Sequence, residues 1–171
     1  MFIECDNLVK IYKVADLEVV ALQGVDLLVE AMADIVHAQG RRDIQCAIVG
    51  SGTELERLRQ MSNELGLSDF ITFTGFLSGE PLLRAFSAFD IGVIPDPKNT
   101  YNDKISMNKV FEYMTLGIPF VGFDLAETRK IAGDAALYAD VSEPAALAEK
   151  IAMLADDAGL KSQLAAIGQA R

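Results

Sequence analysis

The sequence predicts an α/β fold with a doubly wound parallel sheet, because short apolar runs alternate with amphipathic segments from Gly24 onward. The apolar runs are bounded by glycine, proline or polar residues, which is typical of buried strands. The chain of 171 residues, 51% hydrophobic and 23% charged, is long enough to bury the core of one such domain.

The amphipathic segments predict the helices. In residues 25–40 apolar side chains recur with a helical period, and Gly40 can end the helix. The segment 106–117 stops at Gly117, with Pro119 just beyond it. The other predicted helices cover residues 53–66, 81–89, 127–133 and, as two helices broken near Ala158 and Gly159, 143–170.

The apolar runs predict five strands over residues 46–50, 70–75, 90–95, 120–123 and 135–139. The connections are short except for the polar loop 95–105, which follows the carboxyl end of a strand. Because ligands of open α/β sheets bind beyond these strand ends, this loop marks the expected site.

Residues 1–23 have a different pattern and are treated as a segment separate from the domain 24–171. Two extended stretches joined around Val14 to Asp16 predict an atypical N-terminal β-hairpin.

Charge and composition exclude several classes of protein. A net charge of -10 argues against a general nucleic-acid binder, which needs a basic face. No apolar run is long enough to predict a transmembrane segment, and no secretory signal is expected. Cys5 and Cys46 are too isolated for a disulfide framework or metal site, which favours a reducing, cytoplasmic compartment. The slightly positive mean hydropathy fits either a covered sheet or a surface that meets a partner.

A glycine turn between a strand and a helix is the first candidate site. Gly50 and Gly52 let backbone N–H groups approach a ligand, and the following helix start favours an anion. A dinucleotide fingerprint needs a third glycine, but Leu55 stands at that position. The alternative is an ordinary tight turn.

The start of the helix 106–117 is the second candidate. Ser106 is expected to cap it, its amino end is partly positive, and Lys109 adds a full charge. With Asn108 beside it, this end could hold phosphates, while Glu112 accepts hydrogen bonds from sugar hydroxyls. The alternative is a solvated ion pair between Lys109 and Glu112.

Other polar residues carry less information. Asp124 or Glu127 is expected to cap the short helix after residues 120–123, with a ligand contact as the alternative. His37, the single histidine, has no evident catalytic or metal-binding partner, and no catalytic residue can be assigned. The phenylalanines expected in the core are Phe70, Phe73, Phe76, Phe86 and Phe89.

Several motifs occur together and in order: "IVGSG", "FTGFLS", "FDIGVIP" and "EYMTLGIPFV". Over residues 24–171 the chain resembles the C-terminal half of group 1 retaining glycosyltransferases of GT-B fold. The resemblance implies a Rossmann-like domain that binds a UDP-sugar or GDP-sugar without a metal cofactor. The residues that it implies at the donor are Glu112 at the ribose, Met107, Asn108 and Lys109 at the diphosphate, and Phe76 and Leu77 at the nucleobase.

The sequence departs from this pattern in three ways. Lys104 occupies the position where the family often has a sugar-facing glutamate, although one branch carries this lysine. The Gly-Arg turn and the Lys-Gly pair, whose cations neutralise the diphosphate, are replaced by Leu22 and Gln23 before Gly24. The N-terminal acceptor-binding half of the family is not among these residues.

Residues 1–27 are similar to the start of ABC transporter ATP-binding subunits, with Tyr12 at the adenine-stacking position, but no P-loop follows. We therefore expect a donor-binding domain that transfers a hexose-type sugar only together with its missing half. The expected partner is either that acceptor-binding half or a second copy of the chain, bound through exposed apolar surface. The alternative is a non-catalytic module with a structural or partner-binding role.

Overall fold

Strands and helices alternate from Gly24 onward in the computed structural model, which describes residues 13–14, 17–18 and 24–171. The strands are β1 (Lys13–Val14), β2 (Leu17–Glu18), β3 (Cys46–Val49), β4 (Ile71–Gly75), β5 (Gly92–Ile94), β6 (Phe120–Phe123) and β7 (Ala136–Ala139). The α-helices are α1 (Val25–Ala33), α2 (Leu55–Glu64), α3 (Gly79–Ser87), α4 (Asn108–Leu116), α5 (Ala126–Ala132), α6 (Pro144–Asp156) and α7 (Ala158–Ala170).

The parallel strands form two sheets. β3 pairs with β4, and β5, β6 and β7 pair in that order. The predicted single sheet is thus interrupted between β3 and β5, since neither strand has a second ladder partner there among the described residues. A cavity lined by both strands and by Val25 of α1 lies at this interruption.

β1 and β2 pair antiparallel, with Lys13 opposite Glu18. This pairing has the form expected of the N-terminal hairpin. The rest of residues 1–23, including the adenine-stacking position suggested for Tyr12, lies outside the described residues.

Two hydrophobic cores cover the two faces of the strands. All four residues of β6 are buried, but they point alternately to opposite sides. Val121 and Phe123 join the core formed with α1 and α6, whereas Phe120 joins the core formed with α3 and α4. Burial on both faces is the feature that the uninterrupted apolar pattern of this strand predicts.

The packing of α4 on β5 and β6 fixes the helix that carries most of the candidate site. Val110 and Tyr113 are buried, and the Tyr113 ring lies 5.8 Å from Phe120 and 6.3 Å from Phe86, centroid to centroid. A Cβ atom on Gly92 would lie 2.6 Å from the Tyr113 ring. Only glycine therefore fits at the start of β5 without moving this ring.

Helix ends follow the predicted signals in part. Gly117 has φ 67° and ends α4, as its position predicts. The first predicted helix is α1 followed by a π-helical turn, Asp34–Ala38. The C-terminal break falls at Asp157, whose carboxylate accepts a hydrogen bond from the Leu160 N–H at 2.8 Å.

Two expectations about single side chains are resolved by the fold. The assignment of Phe76 to the core was wrong, because this side chain is 48% exposed, while Phe70 and Phe86 are buried. Phe73 and Phe89 are partly buried against the cores. His37 is exposed and bonds through Nε2 to the Leu65 carbonyl oxygen at 2.7 Å.

No helix in the described part of the chain is long and apolar enough to cross a membrane.

We predict that Gly92→Ala lowers the free energy of unfolding by about 1–3 kcal/mol, because the new methyl group overpacks the contact with Tyr113. Urea denaturation measures this loss. In a Tyr113→Ala background, where the ring is absent, the same substitution should cost less than half as much. Equal losses in both backgrounds would contradict the assigned contact.

Candidate functional site

A cavity of about 110 Å³ lies at the carboxyl ends of β3 and β5. Its walls are mainly apolar and include Leu28, Ile48, Phe86, Phe89, Val93 and Tyr113. Polar groups come from the turn Gly50–Gly52, from Asp96 and from Lys109. The cavity is smaller than the roughly 300–1,000 Å³ of a typical ligand pocket. It can therefore enclose only part of a nucleotide-sized ligand.

Lys109 reaches the cavity from the first turn of α4. Lys109 and Tyr113 are four residues apart and both line it, so the packing of the tyrosine sets the direction of the lysine. Its ammonium donates a hydrogen bond to the Asp96 carboxylate at 2.5 Å, and the two side chains are 24% and 17% exposed. The alternative expectation of a solvated Lys109–Glu112 pair was wrong.

The amino end of α4 has no side-chain cap. The N-cap residue is Met107, which is buried in the core, so the prediction that Ser106 caps this helix was wrong. The Ser106 hydroxyl instead donates to Glu127 Oε2 at 3.3 Å. The Val110 N–H donates to the Met107 carbonyl oxygen at 3.1 Å, so the backbone N–H groups left for an anion at this helix start are those of Asn108 and Lys109.

The glycine turn after β3 also lines the cavity. Gly50 has φ 145°, which favours glycine, and its N–H donates to the Gly75 carbonyl at 2.9 Å. At the start of α2, Glu54 and Glu56 pair with Arg57 and Arg59, and the attraction of an anion to this helix start stays a prediction. Gly50 and Gly52 contribute a close backbone approach rather than positive charge.

The loop 95–105 is anchored at both ends by carboxylates. Asp96 holds Lys109 of α4, and Asp103 Oδ1 accepts a hydrogen bond from the Ala126 N–H of α5 at 2.8 Å. Asn102 is 5% exposed and donates to the Pro97 carbonyl at 2.7 Å. These contacts give the loop a defined conformation.

Asp103 takes the capping role that was expected of Asp124 or Glu127, and that expectation was wrong. Asp124 binds Arg129 instead, and Glu127 binds Lys130 in addition to Ser106. The Arg129 guanidinium also lies 4.1 Å from the ring centroid of Tyr138. Hydrogen bonding to Arg129 lowers the pKa of the Asp124 carboxyl below its usual value.

The remaining candidate residues lie outside the cavity lining. Glu112 is partly exposed, one turn beyond Lys109 on α4, while Asn108 and Lys104 are exposed. Phe76 is exposed and Leu77 packs against the second core. The structure thus brings together Gly50, Gly52 and Lys109 of the predicted set.

Asp96 and Asp103 are the site residues that sequence reasoning missed. The signal available for Asp96 is its place between Pro95 and Pro97 directly after a buried strand, where the backbone is restricted. Its partner Lys109 is distant in sequence, so the pair emerges only from the fold.

Two observations concern nucleophilic catalysis by cysteine and metal binding. Burial raises the pKa of the Cys46 thiol to about 12, which makes it a poor nucleophile. Cys5 lies outside the described residues. No group of three or more His, Cys, Asp or Glu side chains suited to a metal ion occurs within the described ranges.

The architecture defines a class: a Rossmann-like α/β domain, with helices on both faces of parallel strands and a cavity at their carboxyl edge. Within this class, the profile of the family "Glycosyl transferases group 1" matches residues 9–157. The chain belongs to this family. The match begins before Gly24, and thus includes part of the N-terminal segment whose likeness to ABC subunits stays a prediction.

Curated relatives are glycosyltransferases. The chain is 27% identical over 149 residues to the alpha-D-kanosaminyltransferase of Streptomyces kanamyceticus, covering 86% of this chain and 37% of that protein. It is 35% identical over 94 residues to the GDP-mannose-dependent alpha-mannosyltransferase of Corynebacterium glutamicum, covering 55% of this chain and 19% of that protein. The chain therefore spans well under half the length of these relatives.

Solved structures share the fold. Anabaena Alr3699/HepE, in a complex with UDP and glucose, has a TM-score of 0.67 at 21% identity, over 86% of this chain and 39% of that one. Sucrose-phosphate synthase of Thermosynechococcus elongatus has a TM-score of 0.71 at 24% identity, over 85% and 36%. These similarities confirm the predicted GT-B Rossmann-like architecture.

We predict that the ion pair between Asp124 and Arg129 stabilises the domain in a pH-dependent way. Because the pKa of Asp124 is lower in the folded chain than its ordinary 3.8, the stabilisation is present above that value and is lost as the pH falls through the folded pKa. Thermal melting between about pH 7 and pH 3 measures it. Asp124→Asn should melt at a lower temperature at pH 7 and approach the parent at pH 3. A difference that stays constant with pH would contradict this assignment.

Proposed function

We propose that this chain is the donor-binding domain of a retaining glycosyltransferase that transfers a hexose-type sugar from a nucleoside diphosphate sugar. The isolated domain binds the nucleotide weakly and transfers no sugar, because the acceptor is bound by a second domain across the cleft. Family membership and the GT-B architecture support this proposal.

One observation carries the assignment of the site. Lys109, carried on the uncapped first turn of α4, and the glycine turn after β3 line a single cavity at the carboxyl edge of the strands. Backbone N–H groups, a helix dipole and one cation are the groups that bind a diphosphate.

The departing nucleoside diphosphate must be stabilised as the bond to the sugar breaks. Lys109, Asn108 and the N–H groups after Met107 supply positive charge and hydrogen bonds at that point. On this proposal the site needs no metal ion. Glu112 accepts hydrogen bonds from the ribose, backbone groups at Phe76 and Leu77 meet the nucleobase, and Lys104 faces the sugar.

A nucleotide-blind module is the second candidate function. It is favoured by the neutralisation of Lys109 by Asp96 and by large apolar side chains exposed on α3 and α4, namely Leu83, Phe111 and Leu116. Size-exclusion chromatography and calorimetry with UDP and GDP separate the two. A monomer that binds nucleotide supports the donor domain, and an oligomer without nucleotide affinity supports the module.

We predict that Lys109→Met weakens UDP and GDP binding at least about tenfold, since a charge-assisted hydrogen bond contributes roughly 1.5–3 kcal/mol. Isothermal titration of residues 1–171 measures the affinity. Lys150→Met, the same change on α6, is the matched control and should bind as the parent does. Unchanged affinity of Lys109→Met would reject the phosphate site at α4.

We predict that Glu112→Gln weakens UDP binding about fivefold but leaves inorganic pyrophosphate binding unaltered, because only the nucleotide carries ribose hydroxyls. Paired titrations with the two ligands measure the difference. An equal loss for both ligands would mean that Glu112 acts on the phosphates or on folding rather than on the ribose.

A further inference from the structure

The cavity contains a carboxylate that opposes the ligand proposed above. Among the lining residues that the structure describes, Asp96 and Lys109 are the charged ones, and they neutralise each other. A site proposed for a diphosphate therefore has no net charge on its described lining. The positive charge that this cavity can offer to a ligand therefore depends on how strongly Asp96 binds the Lys109 ammonium.

The position of Asp96 is fixed by its neighbours. Pro95 and Pro97 restrict the backbone on either side of it. Pro95 is buried directly after β5, and a Cβ atom on Gly24 would lie 2.1 Å from its carbonyl oxygen. Close packing thus prevents the loop from withdrawing the carboxylate without a rearrangement.

Asp96 and Lys109, the two residues of this ion pair, differ in conformational freedom. Asp96 sits on this restrained backbone, whereas Lys109 ends a flexible four-carbon side chain with three N–H donors. One donor is used by Asp96 in the structure, which leaves two for an acceptor such as a phosphate oxygen placed beside the start of α4. The ammonium, rather than the carboxylate, is therefore the group that can be redirected by a ligand.

We propose that Asp96 sets the anion affinity of this site: it holds the Lys109 ammonium in the unliganded domain, and the diphosphate must compete with it for that cation. This inference rests on the proposed function. In the partly buried cavity the ion pair that the ligand must break is stronger than the same pair would be in water. A small anion lacks further contacts to offset the loss of this pair, whereas a nucleotide adds those of its ribose and base.

The test compares charge and shape at position 96 on the full chain. Asp96→Asn keeps the size but removes the charge, and should bind both UDP and inorganic pyrophosphate about five- to tenfold more tightly, the scale of one partly buried charge contact. Asp96→Glu keeps the charge and should bind like the parent. Asp90→Asn, at an exposed position before β5, controls for the change in net charge.

A double variant distinguishes competition for the ammonium from a direct effect. Asp96→Asn in the Lys109→Met background should give no gain over Lys109→Met alone, since the contested cation is absent. If Asp96→Asn does not fold, Asp96→Ser, which leaves room for water at the ammonium, takes its place.

Each outcome has a distinct meaning. Tighter binding by Asp96→Asn that disappears in the Lys109→Met background supports the inference. If the parent binds UDP and Asp96→Asn binds it equally or more weakly, the inference is overturned and the proposed function stands. Folded parent and folded Asp96→Asn that both fail to bind UDP at millimolar concentration overturn the proposed function and the inference with it.

Discussion

The contact between α4 and the start of β5 determines where the Lys109 side chain lies. Gly92 has no side chain, and the Tyr113 ring fills the space that a Cβ atom would need. This contact fixes the rotation of α4 about its axis, with Val110 directed into the core. Lys109, one turn before Tyr113, is thereby directed into the cavity.

The electrostatics of the site are local and differ from those of the chain. The protein carries a net charge of -10, so the long-range field repels anionic ligands. On the proposed function, the attraction comes from Lys109 in the cavity and from the amino end of the helix that carries it. The acidic side chains at the start of α2, Glu54 and Glu56, pair with Arg57 and Arg59, so Lys109 is the cation among the described residues that line the cavity.

The helices and strands of this fold could be predicted because residues close together in the sequence determine them. The apolar run of β6 and the Gly117 stop of α4 follow from strand burial and from the left-handed conformation of a glycine. The caps were not predictable in the same way. Ser106 is a good capping residue by type, but Met107 is the N-cap, and Asp103 reaches α5 from another loop. Such tertiary contacts have no signature in the spacing of the helix that they serve.

Two further features could not be predicted from local patterns: the interruption of the sheet and the ordered conformation of the loop 95–105. Alternating strands and helices predict one parallel sheet, yet β3 and β5 lie on the two sides of a cavity and belong to separate ladders. The polar connection 95–105 predicts a ligand site but not its own conformation, which Asp96, Asn102 and Asp103 fix by bonds to α4, to the loop itself and to α5. Because these bonds already order the loop, a ligand at α4 loses little binding energy in ordering it. On the proposed function, the cost of binding lies instead in separating Asp96 from Lys109, and the affinity then depends on charge more than on loop closure.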